Sequence, residues 1–124
     1  KEKSLISNTD ERKHNGIYYT NYSIAKKIAE ESISLFDNGI DFTKLAFLEP
    51  CVGIGIFALA YIDTVIERNI KLVSKLQAVI NNMFYADIDK DAIKLLKIII
   101  PIYAKAKYKV SVVIPESLQG GCGK

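Results

Sequence analysis

The chain has 124 residues, a formal net charge of +3, 25% charged residues and 49% apolar residues. That is one domain's length, with enough apolar side chains for a core, and it excludes wholesale disorder. The longest uncharged apolar stretch, Cys51 to Ile62, has twelve residues and two glycines, whereas a bilayer-spanning helix needs about twenty.

No membrane span is expected, and no basic-then-apolar leader marks the chain for secretion. Cys51 and Cys122 lack metal-type spacing and do not look like a disulfide framework, which fits a reducing, cytoplasmic setting. His14 is the single histidine, so neither a His-based triad nor a multi-His metal site has a basis. The lysines are scattered over the whole chain and read as solvation of exposed faces; charge by itself selects no nucleic-acid partner.

Residues 1–15 are polar and aperiodic and are expected to form a mobile arm. From Gly16, the residues Ile24, Ile28, Leu35 and Phe36, with Ala25 and Ala29, predict one apolar helical face. Thr20 is its expected N-cap and Asn38-Gly39 its stop. Lys44–Leu48 reads as a buried strand. A glycine turn, Glu49 to Gly55, leads into a helix from Phe57 that runs patchily to about Ile80, with a candidate break near Asn69. Met83–Ala86 reads as a second strand. Asp89 is placed to cap a helix from Lys90 to about Ile100, which Pro101 should end or kink. The β-branched run Lys109–Ile114 reads as a third strand. Residues 119–124 carry no structural signal and are expected to be a flexible tail.

Helices alternating with short apolar strands imply an α/β fold, with a mainly parallel sheet covered on both faces, because parallel pairing requires crossover helices. Three strands are fewer than a complete doubly wound domain carries, so the sheet is expected to stop short.

The chemistry concentrates at Glu49-Pro50-Cys51-Val52-Gly53-Ile54-Gly55-Ile56-Phe57, a strand-to-helix junction. Glycines let a ligand approach the backbone, and the helix N-terminus offers free N–H groups to an anion. Glu49 at the strand end would attract a cation. Asp87 closes the next strand, where a carboxylate can accept from both hydroxyls of a ribose. An amino-acid end on the first loop and a ribose on the second strand together describe S-adenosyl-L-methionine. A dinucleotide is the competing ligand, since Gly53 to Ala58 matches G-x-G-x-x-A. Against it, Glu-Pro-Cys-Val intervenes between strand and glycine, and Asp87 lies 32 residues beyond Gly55 where about 20 is usual.

Three segments, GIYYTNYSIAKKI, FLEPCVGIGIF and FYADIDKDAI, together resemble the successive N-terminal motifs of the N6-adenine DNA methyltransferases of restriction–modification systems. The resemblance covers about residues 16–97, with a weaker match at the third strand. It implies a Rossmann-like methyltransferase fold, a partial three-layer sandwich over residues 16–118, truncated after about three strands. It also implies that Tyr18, Tyr19 and Thr20 wrap the methionine end of the cofactor and that Glu49, followed by Pro50, meets its ammonium. Gly53 and Gly55 would form the loop beneath it, Asp87 would bind the ribose, and Ile88 would pack on the adenine. Glu116 stands nearest the acid that contacts the adenine amino group. Departures from the family pattern are Asn21 for proline, Val52 and Ile54 for smaller residues, and Glu116 for aspartate.

The family holds its flipped target base with an [Asn/Asp/Ser]-Pro-Pro-aromatic segment. The three prolines here, Pro50, Pro101 and Pro115, are never adjacent, so no catalytic residue is assigned and the chain alone is expected to be inactive. The expected function is the cofactor-binding segment of a methyltransferase whose parent meets DNA through other regions. The alternative is a non-catalytic nucleotide- or protein-binding module that associates, or self-associates, through an exposed sheet edge.

Overall fold

The computed structural model of the chain describes residues 21–50, 52, 53 and 55–115. Helix α1 is Tyr22–Ile33, capped by Asn21, whose side chain accepts from the Ser23 N–H at 2.7 Å and the Ile24 N–H at 3.4 Å. The cap is therefore Asn21 rather than the expected Thr20, which lies outside the described residues. Its buried face is Ala25, Ala29 and Ile33, while Ile24 and Ile28 are 57% and 46% exposed. Small side chains decide this. Ala25 and Ala29 meet Ala60 of the next helix, and the alanine seam brings the two helices close.

Helix α1 also stops at Ile33, short of the expected Asn38-Gly39. Arg68 takes over its end: the guanidinium donates to the carbonyls of Ile33 at 2.7 Å and Phe36 at 2.9 Å, and to Asn38 Oδ1 at 3.1 Å. A cation satisfying terminal carbonyls is favourable there.

Strand β1 is Phe47–Glu49, later and shorter than the expected Lys44–Leu48. The Asp41 carboxylate accepts from the Thr43 N–H at 2.9 Å and the Thr43 hydroxyl at 2.6 Å, and holds the preceding residues in a turn that buries Phe42. Helix α2 follows as Ile56–Arg68, then a 3₁₀ turn at Ile70–Lys75, helix α3 at Leu76–Ile80 and strand β2 at Met83–Tyr85. Asn69 both ends α2 and caps the 3₁₀ turn, accepting from the Lys71 N–H at 3.2 Å, which is the break expected at that residue.

Helix α4, Lys90–Tyr108, is capped by Asp89 as expected. Pro101 does not end it: the helix continues a further seven residues beyond the proline. Proline cannot donate to the carbonyl one turn back. The continuation holds because Ala104 stays in the core with Leu96 and Ile100, and because Tyr103, Lys107 and Tyr108 are anchored on α2.

The two strands are parallel, with Phe47 opposite Met83 and Glu49 opposite Tyr85. The architecture is α/β, with four α-helices and a two-stranded parallel sheet among the described residues. The expected third strand, Lys109–Ile114, does not form. Its side chains still alternate, with Val112 buried and Val113 exposed. Its backbone, however, is bonded to a side chain: the Gln77 carboxamide donates to the Val113 carbonyl and accepts from the Val113 N–H, both at 2.9 Å. One amide mimics a bridge where a ladder needs a strand. The main core lies between α2, α3, α4 and the sheet, centred on Ile62, Ile66, Leu76, Ile80, Met83 and Ile100.

Candidate functional site

Because β1 and β2 are parallel, their carboxyl ends open on the same side, and the sequence-predicted residues divide around that point. The Phe47 N–H donates to the Asn82 carbonyl at 2.9 Å and the Ala86 N–H to the Glu49 carbonyl at 2.9 Å. Beyond the strands, the Val52 N–H donates to the Ala86 carbonyl at 3.2 Å. The chain then turns through Gly53 (φ 56°) and Gly55 (φ 83°), both left-handed.

Asp87 joins the two strand ends. Its Oδ2 accepts from the Gly53 N–H at 2.9 Å, and its Oδ1 accepts from the Asp89 N–H at 2.9 Å. Each carboxylate oxygen has two acceptor directions, so one on each remains for a ligand. Glu49 is half-buried at the end of β1, Pro50 is exposed, and Ile88 projects at 82% exposure. Gly55 is the N-cap of α2 and has no side chain to satisfy the first-turn N–H groups. The structure thus brings Gly53, Gly55, Glu49 and Asp87 to one end of the sheet. Tyr18, Tyr19, Thr20 and Glu116 lie outside the described residues.

Gly55 has little room for replacement. A Cβ there would sit 2.6 Å from Leu96 Cδ1, in the core, and on a φ that side chains rarely adopt. Gly55→Ala is expected to cost about 2–4 kcal/mol, combining backbone strain with overpacking. Urea denaturation checks this; an unchanged midpoint would show that the turn relaxes freely.

A second polar cluster was not anticipated. Asp63 is fully buried in the middle of α2. Its Oδ2 accepts from the Tyr22 hydroxyl of α1 and the Tyr103 hydroxyl of α4, each at 2.5 Å, and lies 3.1 Å from Lys107 Nζ. Its Oδ1 accepts from the Tyr108 hydroxyl. The Lys107 ammonium lies 5.5 Å from the ring centroids of both Tyr103 and Tyr108.

Burial pushes the Asp63 carboxyl up, but the hydrogen bonds from Tyr103, Tyr108, Tyr22 and Lys107 outweigh it and hold the group below its ordinary range. Burial first, then the Asp63 carboxylate, raises all three phenols, which therefore remain donors. The Asp63 side chain is fully buried, so a substrate has no access to this carboxylate. It clamps α1, α2 and α4 together. The sequence carried one signal of it, a lone acid inside the apolar run Ile56–Ile66.

Among the described residues, no helix is long and apolar enough to cross a membrane. Compared with family models, curated proteins and solved structures, the chain matches none.

Proposed function

We propose that the chain is the S-adenosyl-L-methionine-binding segment of a site-specific DNA adenine-N6 methyltransferase, built on part of a Rossmann-like three-layer fold. The full enzyme would transfer the cofactor's methyl group to adenine in DNA, using DNA-contacting and catalytic regions beyond this segment. The observation that carries the reading is the bond between the Asp87 carboxylate and the Gly53 N–H, which joins the acid after β2 to the glycine turn after β1.

The chemistry follows from that juncture. The methionine ammonium would lie against Glu49, its carboxylate against the uncapped start of α2, and the ribose hydroxyls against the remaining acceptor directions of Asp87. The exposed Ile88 side chain would cover one face of the adenine. A dinucleotide fits poorly, since the glycine-turn N–H that would cradle its pyrophosphate already donates to a carboxylate. Two anions would meet there.

Calorimetry of the 124-residue chain with S-adenosylmethionine, S-adenosylhomocysteine and NAD tests the reading. The expected order is binding of both adenosyl ligands and none of NAD. Tighter binding of NAD would overturn it in favour of a dinucleotide module.

A further inference from the structure

We infer that the solvent-facing side of α4 pairs with the same helix of a second copy of this chain, antiparallel about a twofold axis at Ile98. Helix α4 turns Leu96, Ile100 and Ala104 into the core. On its other side Leu95, Ile98 and Ile102 are 46%, 57% and 63% exposed. They stand between Asp91 and Lys105, both exposed as well. From Asp91 to Lys105 the steps are 4, 3, 4 and 3 residues, which keeps all five on one stripe about 21 Å long. A stripe with that repeat is the seam along which two helices pack at a shallow angle.

The charges at its two ends choose the occupant. Ile98 is the midpoint, seven residues from Asp91 and seven from Lys105. A twofold axis there, perpendicular to the helix, sets Asp91 against Lys105 of the second copy at both ends of the seam. Leu95 then meets Ile102 of the second copy, and Ile98 meets its own counterpart. A parallel pair would instead set acid against acid and base against base. Neither charge is used within the chain: among the described residues no ion pair joins either one, and the Lys105 ammonium lies 3.5 Å from the Ser111 hydroxyl.

An anionic lipid surface is the rival occupant, since Lys90, Lys94 and Lys105 on one flank of the stripe would be drawn to it. Asp91, however, lies within the stripe and would be driven against the headgroups. A second copy answers both signs, and a lipid surface only one. The pairing is independent of the cofactor reading, because no residue of the stripe belongs to the Gly53–Asp87 end of the sheet.

Five residues a side is far below the about 20–30 of a stable interface, so the expected dissociation constant is about 10⁻⁵–10⁻⁴ M. An acid in the first turn and a base in the last also suit the helix dipole of a monomer, and the test must separate that role.

Sedimentation equilibrium of the 124-residue chain, from roughly 10 µM to 1 mM, brackets that constant. The mean mass should rise from 13.8 kDa towards twice that value. Ile98→Lys, at an exposed position on the axis, should keep the urea midpoint at micromolar concentration and hold the chain at monomer mass. Asp91→Lys and Lys105→Asp should each weaken the dimer roughly three- to thirtyfold, and the two together should restore it. Charges acting only on the helix dipole would add in the double variant instead of cancelling. A mass fixed at 13.8 kDa across the range overturns the inference, and binding of that monomer to phosphatidylglycerol vesicles would assign the face to lipid. A dimer that survives Ile98→Lys overturns it too, as does a double variant no tighter than either single one.

Discussion

Asp63→Ala is expected to lower the unfolding free energy by about 3–5 kcal/mol, because it removes three phenol hydrogen bonds to a charged group, worth about 1.5–3 kcal/mol each before solvent reaching the half-exposed Lys107 and the freed hydroxyls recovers part of them. The substitution strands the Lys107 ammonium and three phenol hydroxyls that now converge on one carboxylate. Against a typical domain stability of about 5–15 kcal/mol, such a loss is large. Tyr103→Phe and Tyr108→Phe should each cost about 1.5–3 kcal/mol, the range for a hydrogen bond to a charged group, and Tyr22→Phe less because that ring is partly exposed.

The cluster also sets a pH profile with two edges. Asp63 is held below its unfolded pKa of about 3.9, so its contribution is present above that pH and is lost as pH falls through the folded value. The three tyrosines are held above about 10, so their contribution is complete below pH 10 and is lost as pH rises towards the folded values. Urea midpoints from pH 2 to 11 should trace a plateau falling at both ends, and Asp63→Asn should flatten both. A midpoint for Asp63→Ala equal to the wild type would show that the carboxylate is dispensable.

Asp87→Ala is expected to weaken S-adenosylmethionine binding by roughly 10²–10⁴-fold, if two charge-assisted bonds to the ribose are worth about 1.5–3 kcal/mol each. The same carboxylate holds the Gly53 and Asp89 N–H groups, so part of that loss would come from a loosened turn. Asp87→Asn separates the two contributions. It can keep one oxygen on one backbone N–H, but its amide nitrogen is a donor and opposes the other N–H, and its charge is gone. Calorimetry for affinity and urea denaturation for stability should be read together. A variant with wild-type stability and undiminished affinity would place the ribose elsewhere.

The legible parts of this protein were those governed by neighbouring residues. Asp89 caps its helix through a bond to the Asp91 N–H two residues on, and Asn69 breaks the α2 region through a bond to the Lys71 N–H. Gly53 and Gly55 make the turn between β1 and α2 because only glycine enters the left-handed region at low cost. The candidate site was readable for the same reason: an acid closing each strand and glycines between strand and helix are short-range signals. What composition alone could not convey is that Asp87 spends one bond on Gly53, a contact across 34 residues.

The α/β order of helices and strands, the caps and the glycine turn were determined by the sequence itself, since each depends on backbone bonds or capping side chains within a few residues. Tertiary structure decided the rest. Arg68 shortened α1 by taking its terminal carbonyls from 35 residues away, and the alanine seam against Ala60 chose which face of α1 to bury. Asp63, drawing Tyr103, Lys107 and Tyr108 onto α2, carried α4 past Pro101 against its local preference. The β-branched run at Lys109–Ile114 kept the alternation of a strand yet formed none, because a strand exists only when another backbone pairs with it, and here a glutamine side chain stands in that place.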